Sequence, residues 1–154
     1  MHHFFTRVVG VSHSNDDGSS RQKVLKKCRV PEVLRLEHDE DNAHDDFAVR
    51  VLRANGDQLG YLRSRHGEEV VGNSERGCKY AAIITDLTGG TQGKPTRGAN
   101  IAVVWADPGV SKRGVDAYVQ ELLKHEGVEA TRTGCLGTIA VGMTILLLLA
   151  QAVA

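Results

Sequence analysis

Six short runs of β-branched and aromatic residues, each cut off by turn-forming residues, leave this chain few architectures. They cover residues 4–12, 33–38, 47–53, 58–63, 79–87 and 99–105. Phe47, Val49 and Val51 alternate with polar neighbours, as one half-buried strand face requires. Asn55-Gly56 separates two runs, and both residues tolerate the positive φ of a tight hairpin turn. Asn15 to Gly18 and Gly89-Gly90 punctuate the chain in the same way. Residues 64–76 are compatible with one short helix, although Gly67 and Gly72 weaken its propensity. Many short strands joined by tight turns predict a mainly β fold, a small closed or partly closed barrel that hides its strand edges.

After Asp107-Pro108-Gly109 the period changes. Val115, Tyr118, Val119, Leu122 and Leu123 follow helical spacing, and Gly127 is a suitable stop. From Gly134 to Ala154 no side chain is charged. Twenty-one residues rising about 1.5 Å each span roughly 30 Å, the thickness of a hydrocarbon core. The expected organisation is a barrel over 4–106, an amphipathic helix and linker over 107–133, and a transmembrane tail anchor over 134–154. Lys124 and Arg132 precede the tail, and the first residues lack the pattern of a signal peptide. The expectation is a single-pass membrane protein with its N-terminal domain in the cytoplasm.

Lys plus Arg and Asp plus Glu number 19 each, so no global charge draws the chain to polyanions, and local distribution decides. Arg21, Lys23, Lys26, Lys27 and Arg29 form one basic run, in which Pro31 is expected to break any helix. Glu37, Asp39, Glu40, Asp41, Asp45 and Asp46 form an acidic one. The acidic run lacks the glycine and closing Glu of an EF-hand loop. Cys28, Cys78 and Cys135 stand far apart, without zinc-ligand spacing, and read as small buried hydrophobes in a reducing compartment. There is no phosphate-binding glycine loop and no nucleophile–base arrangement. These features predict a protein that is not an enzyme, with no metal and no cofactor.

Several ordered motifs resemble the HIRAN domain over about two thirds of the chain. They are Val9-Gly10-Val11-Ser12, then Asp17 to Gln22, Leu36-Glu37-His38, Asn42-Ala43-His44-Asp45, Ala48 to Val51, Gln58-Leu59-Gly60-Tyr61-Leu62, and the Gly89-Gly90 pair. The resemblance implies an OB-like β-barrel that grips the 3′ end of single-stranded DNA. It places the two base-stacking positions on His13 and His44, and the pair that meets the terminal hydroxyl on Asn42 and Asp45. Tyr61 falls at a position near the strand backbone, with Arg63 just beyond it. Arg21, Lys23 and Arg63 are the expected phosphate contacts. A carboxylate and an amide suit a terminal hydroxyl, and stacking on a flat side chain tolerates any base. The expectation is a membrane-tethered module for single-stranded DNA ends. The alternative is a non-catalytic protein-interaction adaptor held at the membrane by its C-terminal helix.

Overall fold

The computed structural model describes residues 1–128. The chain runs β1 (His2–Arg7), α1 (Arg21–Leu25), β2 (Glu32–His38), β3 (Val49–Arg53), β4 (Gln58–Tyr61), α2 (Ser64–Glu75), β5 (Lys79–Thr88), β6 (Gly98–Ala106) and α3 (Lys112–His125). The tail anchor expected over 134–154 lies outside the described residues. No helix among the described residues is long and apolar enough to cross a membrane.

The six strands form one antiparallel sheet in the order β1-β6-β5-β2-β3-β4. The sheet curls until its two edges meet. Just past β1, Val8 still donates to the Ala99 carbonyl at 3.0 Å, but Val9 crosses to β4 and exchanges two backbone hydrogen bonds with Tyr61, at 2.9 and 3.0 Å. The first strand therefore ends at Arg7, earlier than the apolar run through Ser12 predicts. Gly60 permits this junction: a Cβ there would strike the Val9 carbonyl oxygen and come within 2.8 Å of Val8 Cγ1. The turn at Asn55-Gly56 is present, with Gly56 at φ 92.

The inner face of the sheet is filled by Val8, Leu25, Leu34, Val49, Val51, Leu59, Ile84 and Ile101. β5 and β6 are buried on their outer face as well, where Ile83, Ala102, Val104 and Ala106 pack against Val115, Val119, Leu122 and Leu123 of α3. Two-sided burial explains why residues 101–105 read as a continuous apolar run instead of an alternation. The amphipathic segment after residue 107 thus covers the barrel wall. Ser111 caps its start by accepting from Gly114 N–H, and Gly127 at φ 64 ends it.

The basic run departs from expectation in one respect. Residues Arg21–Leu25 form a helical turn and a half, capped by Ser20, that stops well short of Pro31. Val24 and Leu25 drive it by entering the core, while Lys23, Lys26 and Lys27 stay outside.

Candidate nucleic-acid interface

The edge-to-edge junction organises the surface that the sequence motifs single out. Gly10, at φ 70, turns the chain immediately after Val9, and the position its Cβ would occupy lies 3.9 Å from both His13 and Tyr61 and 3.0 Å from the Arg21 guanidinium. Arg21 is only 5% exposed. Its Nε donates to Asn15 Oδ1 at 2.6 Å and its terminal nitrogen to the Gly10 carbonyl at 3.0 Å. The guanidinium carbon sits 5.1 Å from the Tyr61 ring centre, a cation–π arrangement. Asn15 in turn donates to Ser19 and to the Gln58 carbonyl, and Gln22 clamps the carbonyls of Val11 and Arg97. The polar motif at 15–22 is thus a structural knot that fixes the loop bearing His13.

Tyr61 connects this knot to the acidic loop. Its hydroxyl donates to Asp39 Oδ2 at 2.9 Å, and Arg50, its cross-strand partner on β3, donates to Asp39 Oδ1 at 2.5 Å. Asn42 supplies a third donor at 3.1 Å. Asp39 is 4% exposed. Burial alone pushes its carboxyl up, but the bonds from Asn42 and Tyr61, with the charge and bond of Arg50, outweigh that and hold it below the ordinary range. Two of the six residues of the acidic run are therefore balanced from within. Asp39 is balanced by Arg50, and Glu37 by Arg35 at 3.0 Å, while Glu40, Asp41 and Asp46 remain exposed.

The same loop orients Asn42, His44 and Asp45. Asn42 Oδ1 accepts the backbone N–H groups of both His44 and Asp45, at 3.0 and 3.2 Å. Asp45 Oδ1 accepts from Phe47 N–H at 3.0 Å. One N–H of the Asn42 amide and the second oxygen of Asp45 have no partner among the described residues. His44 and His13 are both exposed. The loop ends with Phe47, 43% exposed, whose carbonyl lies against Gly67 of α2.

Not every expected contact sits where a ligand could reach it. Lys23 and Arg63 are exposed, as a phosphate contact requires. Arg21 is not; its guanidinium is buried and used within the fold, so its position does not fit direct phosphate contact, and it holds Tyr61 and Gly10 instead. Sequence reasoning also missed the Asp39–Arg50–Tyr61 cluster. The hairpin at residues 55–56 alone would set Arg50 against Gly60; the bulge between Val51 and Leu52 shifts the pairing so that Arg50 faces Tyr61, and no local signal announces it. Among the described residues no group of three or more His, Cys, Asp or Glu side chains could hold a metal ion.

A curled six-stranded sheet that brings the loop after β1 and the β2–β3 loop together at Tyr61 of β4 defines a small β-barrel module of the OB-like class. Within that class the chain belongs to the HIRAN domain family, whose model matches residues 1–95. Several solved structures are similar. The crystal structure of the HIRAN domain of human HLTF aligns with a TM-score of 0.50 at 16% identity, covering 80% of this chain and 88% of that one. A protein from Lactobacillus plantarum aligns at 0.47 and 20% identity, over 66% of this chain and 98% of its own. The HLTF HIRAN domain in its DNA-bound conformation aligns at 0.42 and 17% identity, over 82% and 89%. No curated protein matches the chain.

Proposed function

We propose that this chain is a non-catalytic HIRAN module that binds single-stranded DNA by its 3′ end, and that its uncharged C-terminal segment holds it at a membrane with the barrel on the cytoplasmic side. The observation that carries the DNA reading is the unfinished bonding of the 39–47 loop. Asp45 keeps a carboxylate oxygen that can accept from a 3′-hydroxyl, and Asn42 keeps an N–H that can donate to the oxygen of the same hydroxyl. His13 and His44 supply flat, exposed rings for stacking, and Lys23 and Arg63 supply charge for the backbone. The HIRAN domain of HLTF is known in a DNA-bound conformation, which supports carrying this ligand class to a fellow family member.

The test is binding of the full chain to single strands that end in a free 3′-hydroxyl or in a 3′-phosphate. A hydrogen bond to a charged group contributes about 1.5–3 kcal/mol, so the phosphorylated end should bind roughly tenfold more weakly or worse. Equal affinities would remove end recognition and leave the adaptor reading. Membrane attachment rests on the absence of charge from Gly134 to Ala154, and carbonate extraction of the full chain tests it. Recovery in the soluble fraction would end that reading.

A further inference from the structure

We propose a second contact surface for the same ligand, a basic cleft on the outer wall of the barrel in which Arg7, Arg63 and Arg65 take internal phosphates of the strand beside an exposed Phe5. This rests on the strand-binding reading above and extends it from the terminal nucleotide to the backbone behind it.

The cleft has a volume of 520 Å³ and lies between β1, β5, β6, the start of α2 and the end of α3. Phe5 and Arg7 share the outward face of β1, two residues apart, opposite to the face that carries Phe4 and Val8 inward. Asn100 pairs with Arg7 across β6, and the register shift in β5 between Ile84 and Asp86 turns Thr85 to the same cleft, where its hydroxyl bonds the Asn100 carbonyl. Arg63 and Arg65 enter from the other side. Three guanidinium groups thus face two carboxylates, Asp86 and Glu126, and each carboxylate already holds a neighbour: Asp86 the Asn100 amide, Glu126 the His125 ring. None of the three arginines makes an ion pair among the described residues. Beside the cleft His66 is lowered first by its burial and then by the charge of Arg65, with Glu69 opposing and Arg63 adding a smaller push. Phe5 is 46% exposed and offers a base a stacking face. Arg63, two residues after Tyr61, lines this cleft and is also the backbone contact expected beside the end-recognition surface.

The experiment measures binding of the full chain to a dodecamer strand, with a free or a phosphorylated 3′ end, before and after the double change Arg7→Ala and Arg65→Ala. Both side chains are exposed and outside the end-recognition loop, and an unchanged melting temperature checks that the fold is intact. Losing two phosphate contacts on a single strand should reduce the salt slope by about 1.4 and the affinity at 0.1 M salt on the order of 25-fold. The loss should be equal for both strand ends, and the Arg7→Lys, Arg65→Lys variant should recover most of the slope. If free and phosphorylated ends bind alike but the double variant still loses affinity, end recognition fails and the cleft stands. If the double variant keeps the wild-type affinity and slope, the cleft reading is overturned. It is equally overturned if the loss is confined to anionic phosphatidylserine vesicles, or if no strand binds the wild-type chain.

Discussion

Two glycines in the same helix should respond in opposite directions to the same substitution. Gly67 and Gly72 both lie inside α2. Alanine in a helix interior is favoured over glycine by about 0.8–1.0 kcal/mol. At Gly72 a Cβ meets nothing within 4 Å, so Gly72→Ala should stabilise by up to that amount. At Gly67 the Cβ would land on the carbonyl oxygen of Phe47 and approach its carbonyl carbon to 3.3 Å, so backbone must move. Overpacking of this kind typically costs about 1–3 kcal/mol. Gly67→Ala should therefore lie about 1–3 kcal/mol below Gly72→Ala, a gap worth roughly 2–8 °C of melting temperature per kcal/mol. Thermal unfolding of the two full-length variants measures the gap. A functional consequence follows, because Phe47 ends the loop that holds Asn42 and Asp45 in place. Gly67→Ala should weaken discrimination between free and blocked 3′ ends, whereas Gly72→Ala should not. Equal melting temperatures and equal discrimination would refute the reasoning.

Tyr61→Phe removes one of three side-chain donors to the buried Asp39 carboxylate and should cost about 1.5–3 kcal/mol in urea unfolding at neutral pH. Because the folded carboxyl of Asp39 is held low, its contribution is present above about pH 4 and is lost as pH falls through the folded value. The variant should accordingly begin acid unfolding at higher pH than the parent, and identical acid midpoints would count against the cluster. His66, stacked on Phe4 at 4.3 Å, has its pKa lowered by burial and by Arg65, with Glu69 opposing and Arg63 adding to the fall. The fold therefore binds the proton less well than the unfolded chain, so stability should fall as pH drops below about 6.5, and His66→Phe should flatten that dependence in melting experiments. Leu123→Ala should destabilise by about 2–4 kcal/mol if α3 is part of the barrel wall; a change near zero in denaturant unfolding would mean the helix is dispensable.

Local chemistry made the strands legible. Asn55-Gly56 marked a turn by its own backbone freedom, and Val49, Val51 and their polar neighbours marked a strand by period alone. The amphipathic spacing from Val115 to Leu123 likewise matched α3, because a single face meets the sheet. What escaped the sequence depends on partners distant along the chain. Arg21 looked like one more cation in a basic run, and its burial follows from the Gly10 carbonyl and Asn15 approaching from outside that run. Asp39 looked like one more solvated carboxylate until strand register set Arg50 and Tyr61 side by side around it. α1 is so short that its charge outweighed its two apolar residues in any pattern. The outer cleft joins residues 5, 7, 63, 65 and 100, and no window of sequence contains them together.

The pairing of the first strand with the last also sets a schedule. His2 to Arg7 find their partners in Asn100 to Trp105, so β1 leaves the ribosome long before β6 exists. At about 5–20 residues per second, roughly 5–20 s of synthesis separate the two. Throughout that interval Phe4 has no Val103 to pair with and Val8 no Ala99 carbonyl to donate to. The junction around Gly10, Arg21 and Tyr61 gains its tie to the last strand only when residue 99 has arrived to accept from Val8. A nascent chain stalled before that point would carry every residue of the end-recognition loop but not the strand that β1 pairs with, so release of the last strand is what closes the barrel.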